Sequence, residues 1–366
     1  MRLEDYFIQF TKELAYLDLK EEAQKKWGIG PLPMPIRVQD FLGGIQEGQL
    51  DREIDYSYFV KGMIWNLGID PDFIHAKDYL DLLKRTVKEA DRFALNMGLE
   101  AAAEGKSREA LIAFRAAGII NPDNLSAQVH FGDLLWRIPS LSEEDQADMV
   151  HQASHIMEEA LNKDDHSPLA NTALGQINEG MGHFSKATAY YQRALEWAED
   201  PEVKEEVRRA LERIEPETEI ESALYFMRRA DYGQAVDILS KLGQKTRRYD
   251  VFYYLGLSYQ NMSAYDLAAG AFQEALDRGG DFEDLYNGWV YALTAWGKRD
   301  QALAAANKGL DHYPSALRLR YNRAILLFLA GKKDKAMEDI NELLSYDDLS
   351  DEFFNEIMSL REEIFQ

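Results

Sequence analysis

Ala268, Ala302 and Ala336 stand 34 residues apart, and the residues around each recur at the same offsets. In residues 249–282, Leu255, Gly256 and Tyr259 precede the alanine, and Phe272 and Ala275 follow it. In 283–316, Leu293 precedes Ala302, Ala306 and Gly309 follow, and Pro314 closes the unit. Residues 317–350 carry Ala324, Leu327, Ala336, Ile340 and Leu343, and the first such unit, 91–124, carries Met97, Gly98, Ala101, Ala110, Phe114, Ala117 and Pro122. A fixed period of this length means one supersecondary unit that cannot bury its apolar face alone and stacks on its neighbours. The residue types predict paired helices. Small side chains mark where two helices approach closely: Gly98, Gly175 and Gly256 on the first helix, Ala110, Ala187 and Ala268 on the second. A closing proline cannot continue the hydrogen-bond ladder and ends the second helix.

Two intrusions interrupt the period. Unit 125–167 keeps Phe131, Gly132 and Leu135, then Ala153, Met157 and Ala160, but holds nine extra residues around Ile138–Leu141. Ser142 with Asp145 restarts the helix there as a capping-box-like pair. After unit 168–201, Asp200-Pro201 opens an extra amphipathic helix over 202–215, with Val203, Val207, Ala210, Leu211 and Ile214 in register. Unit 216–248 is weaker, marked by Ala223, Phe226, Ala235 and Leu239. Phe353, Ile357, Leu360 and Ile364 form one face of a terminal helix over 351–366, the cap that a repeat array needs.

Residues 1–90 read as a helical module outside the repeat. Leu3, Phe7, Phe10, Leu14 and Leu17 form one helical stripe; Tyr56, Phe59, Val60, Met63, Ile64 and Leu67 form a second, stopped by Gly68. Asp70-Pro71 is expected to cap a third, with Tyr79, Leu82, Leu83, Thr86, Val87 and Ala90. The proline-rich loop 28–35 between the first two forbids helix and favours an extended segment. With no Gly or Pro from Asp72 to Asn96, the third helix is expected to run into the first repeat as one rod, the alternative being a turn at Lys88–Asp91.

The repeat resembles the tetratricopeptide repeat, a 34-residue helix–turn–helix, most strongly over residues 91–124, 168–201 and 249–350. The resemblance implies an all-α, right-handed α-solenoid of about seven units with an N-terminal helical module and a C-terminal capping helix. It also implies a non-enzymatic scaffold or adaptor that binds a peptide or protein segment in a concave groove lined by the first helices. The family's ligand-contacting positions, carried onto the C-terminal units, fall on Tyr253, Leu257 and Gln260; on Asn287, Tyr291 and Thr294; and on Tyr321, Ile325 and Phe328, with Arg318 and Asn322 beside them. Aromatic side chains supply contact area at low entropy cost and amides can grip a peptide backbone. The family's chaperone-tail carboxylate clamp needs Lys and Asn where this chain has Tyr253, Leu257, Gly288, Leu95 and Leu99, so that ligand is not expected. The layout of a helical module followed by repeats is also similar to that of the Rap-type regulators of Gram-positive bacteria, which implies the alternative of a peptide-responsive cytoplasmic regulator.

Composition narrows the partners. With 64 acidic and 41 basic side chains the net charge is −23, which argues against nucleic acid and anionic membrane as main partners. Zero cysteines exclude disulfides, thiol nucleophiles and thiolate metal sites. No apolar run approaches the length of a membrane span, and Glu4, Asp5, Lys12 and Glu13 interrupt any leader-like start, so a cytoplasmic protein is expected. Neither a GxSxG elbow nor a phosphate-cradling glycine loop is present, and no strand pattern could host one; no enzymatic activity and no cofactor are expected. His151 and His155, one turn apart with Glu158 and Glu159 downstream, have metal-ligand spacing but are expected to be a solvated face. The basic patches Lys245–Arg248 and Arg318, Arg320, Arg323 are expected to form ion pairs between helices. The acid-rich stretches 196–221 and 338–363 read as solubilising surface, and self-association is left open.

Overall fold

The structure is a computed structural model that describes residues 3–46, 54–138 and 142–365. The chain forms two compact units, residues 1–212 and 213–366.

The first unit opens with α1 (Leu3–Ile8), a 3-10 turn (Gln9–Glu13) and a strand, β1 (Leu14–Leu17). The stripe Leu3–Leu17 is therefore not one helix. Leu14–Leu17 pairs antiparallel with β2 (Met34–Arg37), Leu14 opposite Arg37 and Leu17 opposite Met34. The proline-rich segment is extended, as its composition requires, and an extended chain must find a partner for its backbone groups. Pro35, which has no N–H, is tolerated in so short a ribbon. Between the strands lies α2 (Glu21–Trp27), ended by Gly28 in the left-handed region. α3 (Val38–Gln46) follows β2, and α4 (Tyr56–Ile69) packs on β2 so closely that a Cβ on Gly62 would overlap the Pro35 carbonyl. Asp55 caps α4 by accepting the Ser57 N–H at 2.8 Å. Tyr79 donates to the Pro33 carbonyl at 2.5 Å and fixes the other end of the loop.

α5 starts at Ala76, not at the Asp70-Pro71 pair, because Asp70 closes α4 and turns the chain, accepting the Asp72 N–H at 3.2 Å. α5 (Ala76–Thr86) does not continue into the repeats. Val87 is extended and Glu89 has φ 52°, so α6 begins afresh at Ala90. The break lets Leu83 on one helix and Ala90 and Ala94 on the next enter the same core with Ala116 and Ala117.

Three repeat units follow in this part of the chain: α6 (Ala90–Ala103) with α7 (Ser107–Ile120), α8 (Leu125–Leu135) with α9 (Glu143–Lys163), and α10 (Pro168–Gly180) with α11 (Phe184–Trp197). Part of the insertion, residues 139–141, lies outside the described residues. The rest lengthens α9, which Ser142 caps by accepting the Asp145 N–H at 3.1 Å. The extra helix does not end at 215. α12 (Pro201–Arg228) passes through Pro216 and supplies the first helix of the next repeat. Proline removes one ladder hydrogen bond, but Val207, Ala210 and Ile214 are buried before it and Ile220 and Ala223 after it. In the second compact unit, α12 is followed by α13 (Tyr232–Lys245). Three full pairs come next: α14 (Tyr249–Asn261) with α15 (Tyr265–Asp277), α16 (Glu283–Ala295) with α17 (Arg299–His312), and α18 (Leu317–Leu329) with α19 (Lys333–Leu343). α20 (Asp351–Phe365) closes the chain and buries Phe353, Ile357, Leu360 and Ile364, as the stripe predicts.

Two local devices repeat along the array. The first is the turn inside every pair but the enlarged α8–α9, among the described residues. Gly105, Gly182, Ala230, Ser263, Gly297 and Gly331 all have positive φ, and the last three stand 34 residues apart. In each turn the next residue's N–H reaches back to a carbonyl five residues earlier, from Lys106 to Ala101 through Lys332 to Leu327, at 2.8–3.0 Å. These are Schellman closures, which satisfy the last carbonyls of the first helix and need one left-handed residue. The second device is a glycine facing a ring. A Cβ on Gly98 would strike the Phe114 ring, one on Gly175 would lie 2.5 Å from the Tyr191 ring, and one on Gly256 would lie 2.6 Å from Phe272. The ring follows its glycine by 16 residues in all three, and in the enlarged unit Met157 follows Gly132 by 25. The glycines thus make room for a large residue one turn beyond the alanine rather than for the alanine itself.

Ala230 and Ser263 hold the left-handed position with a Cβ, which costs an L-residue roughly 1–2 kcal/mol. Ala230→Gly and Ser263→Gly are each expected to raise stability by about 0.5–1 kcal/mol in urea unfolding, after allowance for the more flexible unfolded chain. The same change at exposed Ala304, in the middle of α17, is expected to lower it by about 1 kcal/mol.

Candidate functional site: the first helices of the C-terminal repeats

All ten candidate contact residues lie in the second compact unit, on α14, α16 and α18. Tyr253 is half-buried, its ring edge-on to Phe282 at 4.9 Å and near Phe272 at 6.1 Å. It wedges its own repeat against the next, and burial raises its pKa. Leu257 packs against the same core. Gln260 and Asn287 are partly buried, and the Oε1 and Oδ1 oxygens of these amides have no hydrogen-bond partner. Thr294 gives its hydroxyl to the Val290 carbonyl of its own helix at 2.7 Å. Tyr291 is half exposed, at 50%, with its ring edge-on to Tyr265 at 6.2 Å.

On α18 the terminal helix has taken the positions. The Tyr321 ring meets Phe353 edge-on at 5.5 Å and its hydroxyl donates to the Glu356 carbonyl at 3.4 Å. Ile325 and Phe328 pack with the cluster built on Phe353, Ile357 and Leu360. Arg318 lies over the Phe353 ring at 4.3 Å and pairs with Glu356 at 2.5 Å. Asn322 stays partly exposed beside them. Sequence spacing identified the helix face and could not reveal that α20 reaches it.

The basic patches are spent on ion pairs, as their setting in an acidic chain suggests. Lys245 pairs with Glu215 at 2.8 Å, and Arg248 bridges Glu217 and Asp250, which together raise its pKa. Arg323 holds Asp339 with two hydrogen bonds, at 2.8 and 2.5 Å, and that carboxylate is 3% exposed. Arg320 donates to Glu342 at 2.5 Å and to the Pro314 carbonyl.

The histidine pair does not converge on a metal. His151 and His155 are exposed, His155 lies 3.7 Å from Glu159, and Glu158 accepts from Lys186 at 3.2 Å and Tyr190 at 3.1 Å. Among the described residues one group places three potential ligand atoms within 4.8 Å, Asp164, Asp165 and His166, all exposed. Its imidazole is 2.8 Å from Asp164 and lies edge-on to Trp197 at 3.9 Å. Three adjacent residues in one turn carry no period, so the sequence pattern did not single them out.

Residues 169–201 match the family model of the tetratricopeptide repeat. Residues 169–201 thus carry a tetratricopeptide repeat, in keeping with the 34-residue period and the recurring closures. Solved structures similar to it include a tetratricopeptide-repeat protein from Parabacteroides merdae, 16% identical, covering 75% of this chain and 99% of that one at a TM-score of 0.32. The tetratricopeptide domain of P58(IPK) is 15% identical, with coverages of 74% and 77% and a TM-score of 0.32. The TPR2AB domain of yeast Sti1, solved in complex with pHSP90, is 16% identical, with coverages of 75% and 98% and a TM-score of 0.29. No curated protein matches the chain.

The last helix pair, α18 with α19, draws on Arg323. Arg323→Ala leaves the buried Asp339 carboxylate without its two-pronged donor, and is expected to lower unfolding stability by about 3 kcal/mol. Removing exposed Arg299 in the same way is expected to cost less than about 0.5 kcal/mol. Urea midpoints of the two variants measure the difference.

Proposed function

We propose that this chain is a protein-interaction scaffold that holds a peptide or protein segment along the first helices of its C-terminal repeats. The observation that carries the reading is the composition of that face: an exposed tyrosine, Tyr291, between amides whose oxygens have no internal partner, Gln260 and Asn287. A buried acceptor left unpaired costs about 1–3 kcal/mol, and rotation of either amide toward the face would let the backbone N–H groups of an extended segment relieve it. Tyr291 offers aromatic area without first having to leave a core, and Leu257 supports the apolar floor beside it. Tyr321, Ile325 and Phe328 contribute the end wall of the face together with α20, and Asn322 and Thr294 its polar rim. Tyr253 sets the spacing between successive first helices and is a support rather than an anchor.

The reading places catalysis nowhere on the chain and needs no cofactor. Among the described residues no helix is long and apolar enough to cross a membrane. Residues 1–90 are taken as an N-terminal helical module, residues 91–350 as the repeats and 351–366 as the cap.

Panning a random peptide library on the full chain tests the proposal. The recovered peptides are expected to bind Tyr291→Ala at least about tenfold more weakly, a loss of roughly 1.4 kcal/mol in binding free energy. Tyr225→Ala, which removes an equally exposed tyrosine from α12, is expected to leave binding unchanged. Equal loss at both positions, or at neither, contradicts this choice of face.

A further inference from the structure

The first compact unit holds a feature that the groove reading does not use. Beside α3 lies a cleft of about 820 Å³ whose charged lining is Lys12, Arg37, Lys61 and Arg108 against Glu13 and Asp40. Four cations against two carboxylates is an inversion of the local sign in a chain that carries −23. Two of the four are already engaged. Arg108 pairs with Glu13 at 3.2 Å, and Arg37 stacks over Trp65 at 3.8 Å with Asp40 at 3.7 Å. Lys12 and Lys61 are exposed and have no carboxylate within 4.0 Å among the described residues.

α3 itself is barely anchored. Of its nine residues only Gly44 is buried. Val38, Leu42 and Ile45 are 37%, 52% and 51% exposed, and their spacing puts them on one face of the helix. Val38 and Leu42 also line the cleft, so the apolar stripe and the unpaired ammonium groups belong to one surface. An apolar stripe of this kind on a soluble helix marks a place where something docks. The charge around it specifies what.

We propose that α3 and its cleft dock an acidic amphipathic helix of a partner protein. Its apolar side would cover Val38, Leu42 and Ile45, and its carboxylates would meet Lys12 and Lys61, which need lose no existing ion pair. Burial of the two apolar stripes supplies affinity, while the charge pairing sets orientation and rejects basic partners. The long-range field of the chain opposes an acidic ligand, so the pairing must act at contact, where the distances are shorter than the ~8 Å screening length.

The test uses the full chain and a fluorescein-labelled model helix about 18 residues long, with leucine on one face and glutamate elsewhere, beside a second helix with lysine for glutamate. Anisotropy titration is expected to give saturable binding of the glutamate helix. The lysine helix, which the net charge of −23 attracts to other faces, is expected to bind the Lys12→Glu, Lys61→Glu chain no more weakly than the parent. The double variant Lys12→Glu, Lys61→Glu is expected to weaken binding by at least about tenfold, and Leu42→Ser by about threefold, with thermal midpoints unchanged because all three side chains are exposed. Failure of the glutamate helix to bind, or equal binding by the charge-reversed chain, overturns the proposal. So does either of two other losses on charge reversal: of concentration-dependent dimer in sedimentation, which makes a second copy the occupant, or of flotation with phosphatidylserine vesicles, which makes a bilayer the occupant. None of these readouts depends on Tyr291.

Discussion

Three of the helix pairs rest on the contact between a helical glycine and a buried ring. Two antiparallel helices joined by a short turn can close to packing distance only if one of them presents backbone where the other presents bulk. Phe272 shows the limit of this arrangement. Its ring is fully buried, and Cβ atoms built at Gly256 and Gly288 would lie 2.6 and 2.8 Å from it, one on the helix before and one on the helix after. The ring therefore holds its own pair together and the next pair to it. The Schellman closures place each second helix so that this contact can form, and Ala268, Ala302 and Ala336, all fully buried, keep the backbones close one turn away.

What the period encodes could be read from the residues, because each repeat repeats the same solution. The helix pairs and the cap follow from where small and large residues recur, whereas the extra helix expected over 202–215 runs on to Arg228. The N-terminal module is different. Leu3, Phe7 and Phe10 have helical spacing, yet Leu14–Leu17 becomes a strand because its partner, Met34–Arg37, is supplied from the other side of a proline-rich loop. A four-residue strand has too few positions to show a period, and pairing across the loop leaves no local mark. The break before α6 is similarly silent: Glu89 takes a left-handed conformation with no glycine to announce it. Pro216 misled in the opposite sense, since burial on both sides of it carries α12 through a residue that usually ends a helix.

The candidate site was legible as a helix face and not as a surface. Position within the repeat makes Tyr253, Asn287 and Tyr321 equivalents and sets Tyr291 beside Leu257 and Ile325, but the neighbours of the three tyrosines gave them three different environments. Phe282 turned the first into a wedge, Tyr265 left the second half exposed, and α20 covered the third. Charge behaved in the same way. A basic patch in the sequence proved to be committed pairs in Arg248 and Arg323, whereas Lys12 and Lys61 beside α3, which pair with no carboxylate among the described residues, are far apart in sequence and share no motif.

Equilibrium unfolding of two glycine-to-alanine variants tests the central contact most directly. Gly256 faces the Phe272 ring, while Gly270, on the helix that carries Phe272, has nothing within 4 Å of its added Cβ. Gly270→Ala is expected to stabilise the protein by up to about 1 kcal/mol through helix propensity. Gly256→Ala gains the same propensity but must displace a ring confined on both sides, and is expected to destabilise by about 1–3 kcal/mol. Stabilisation by both substitutions would contradict the account.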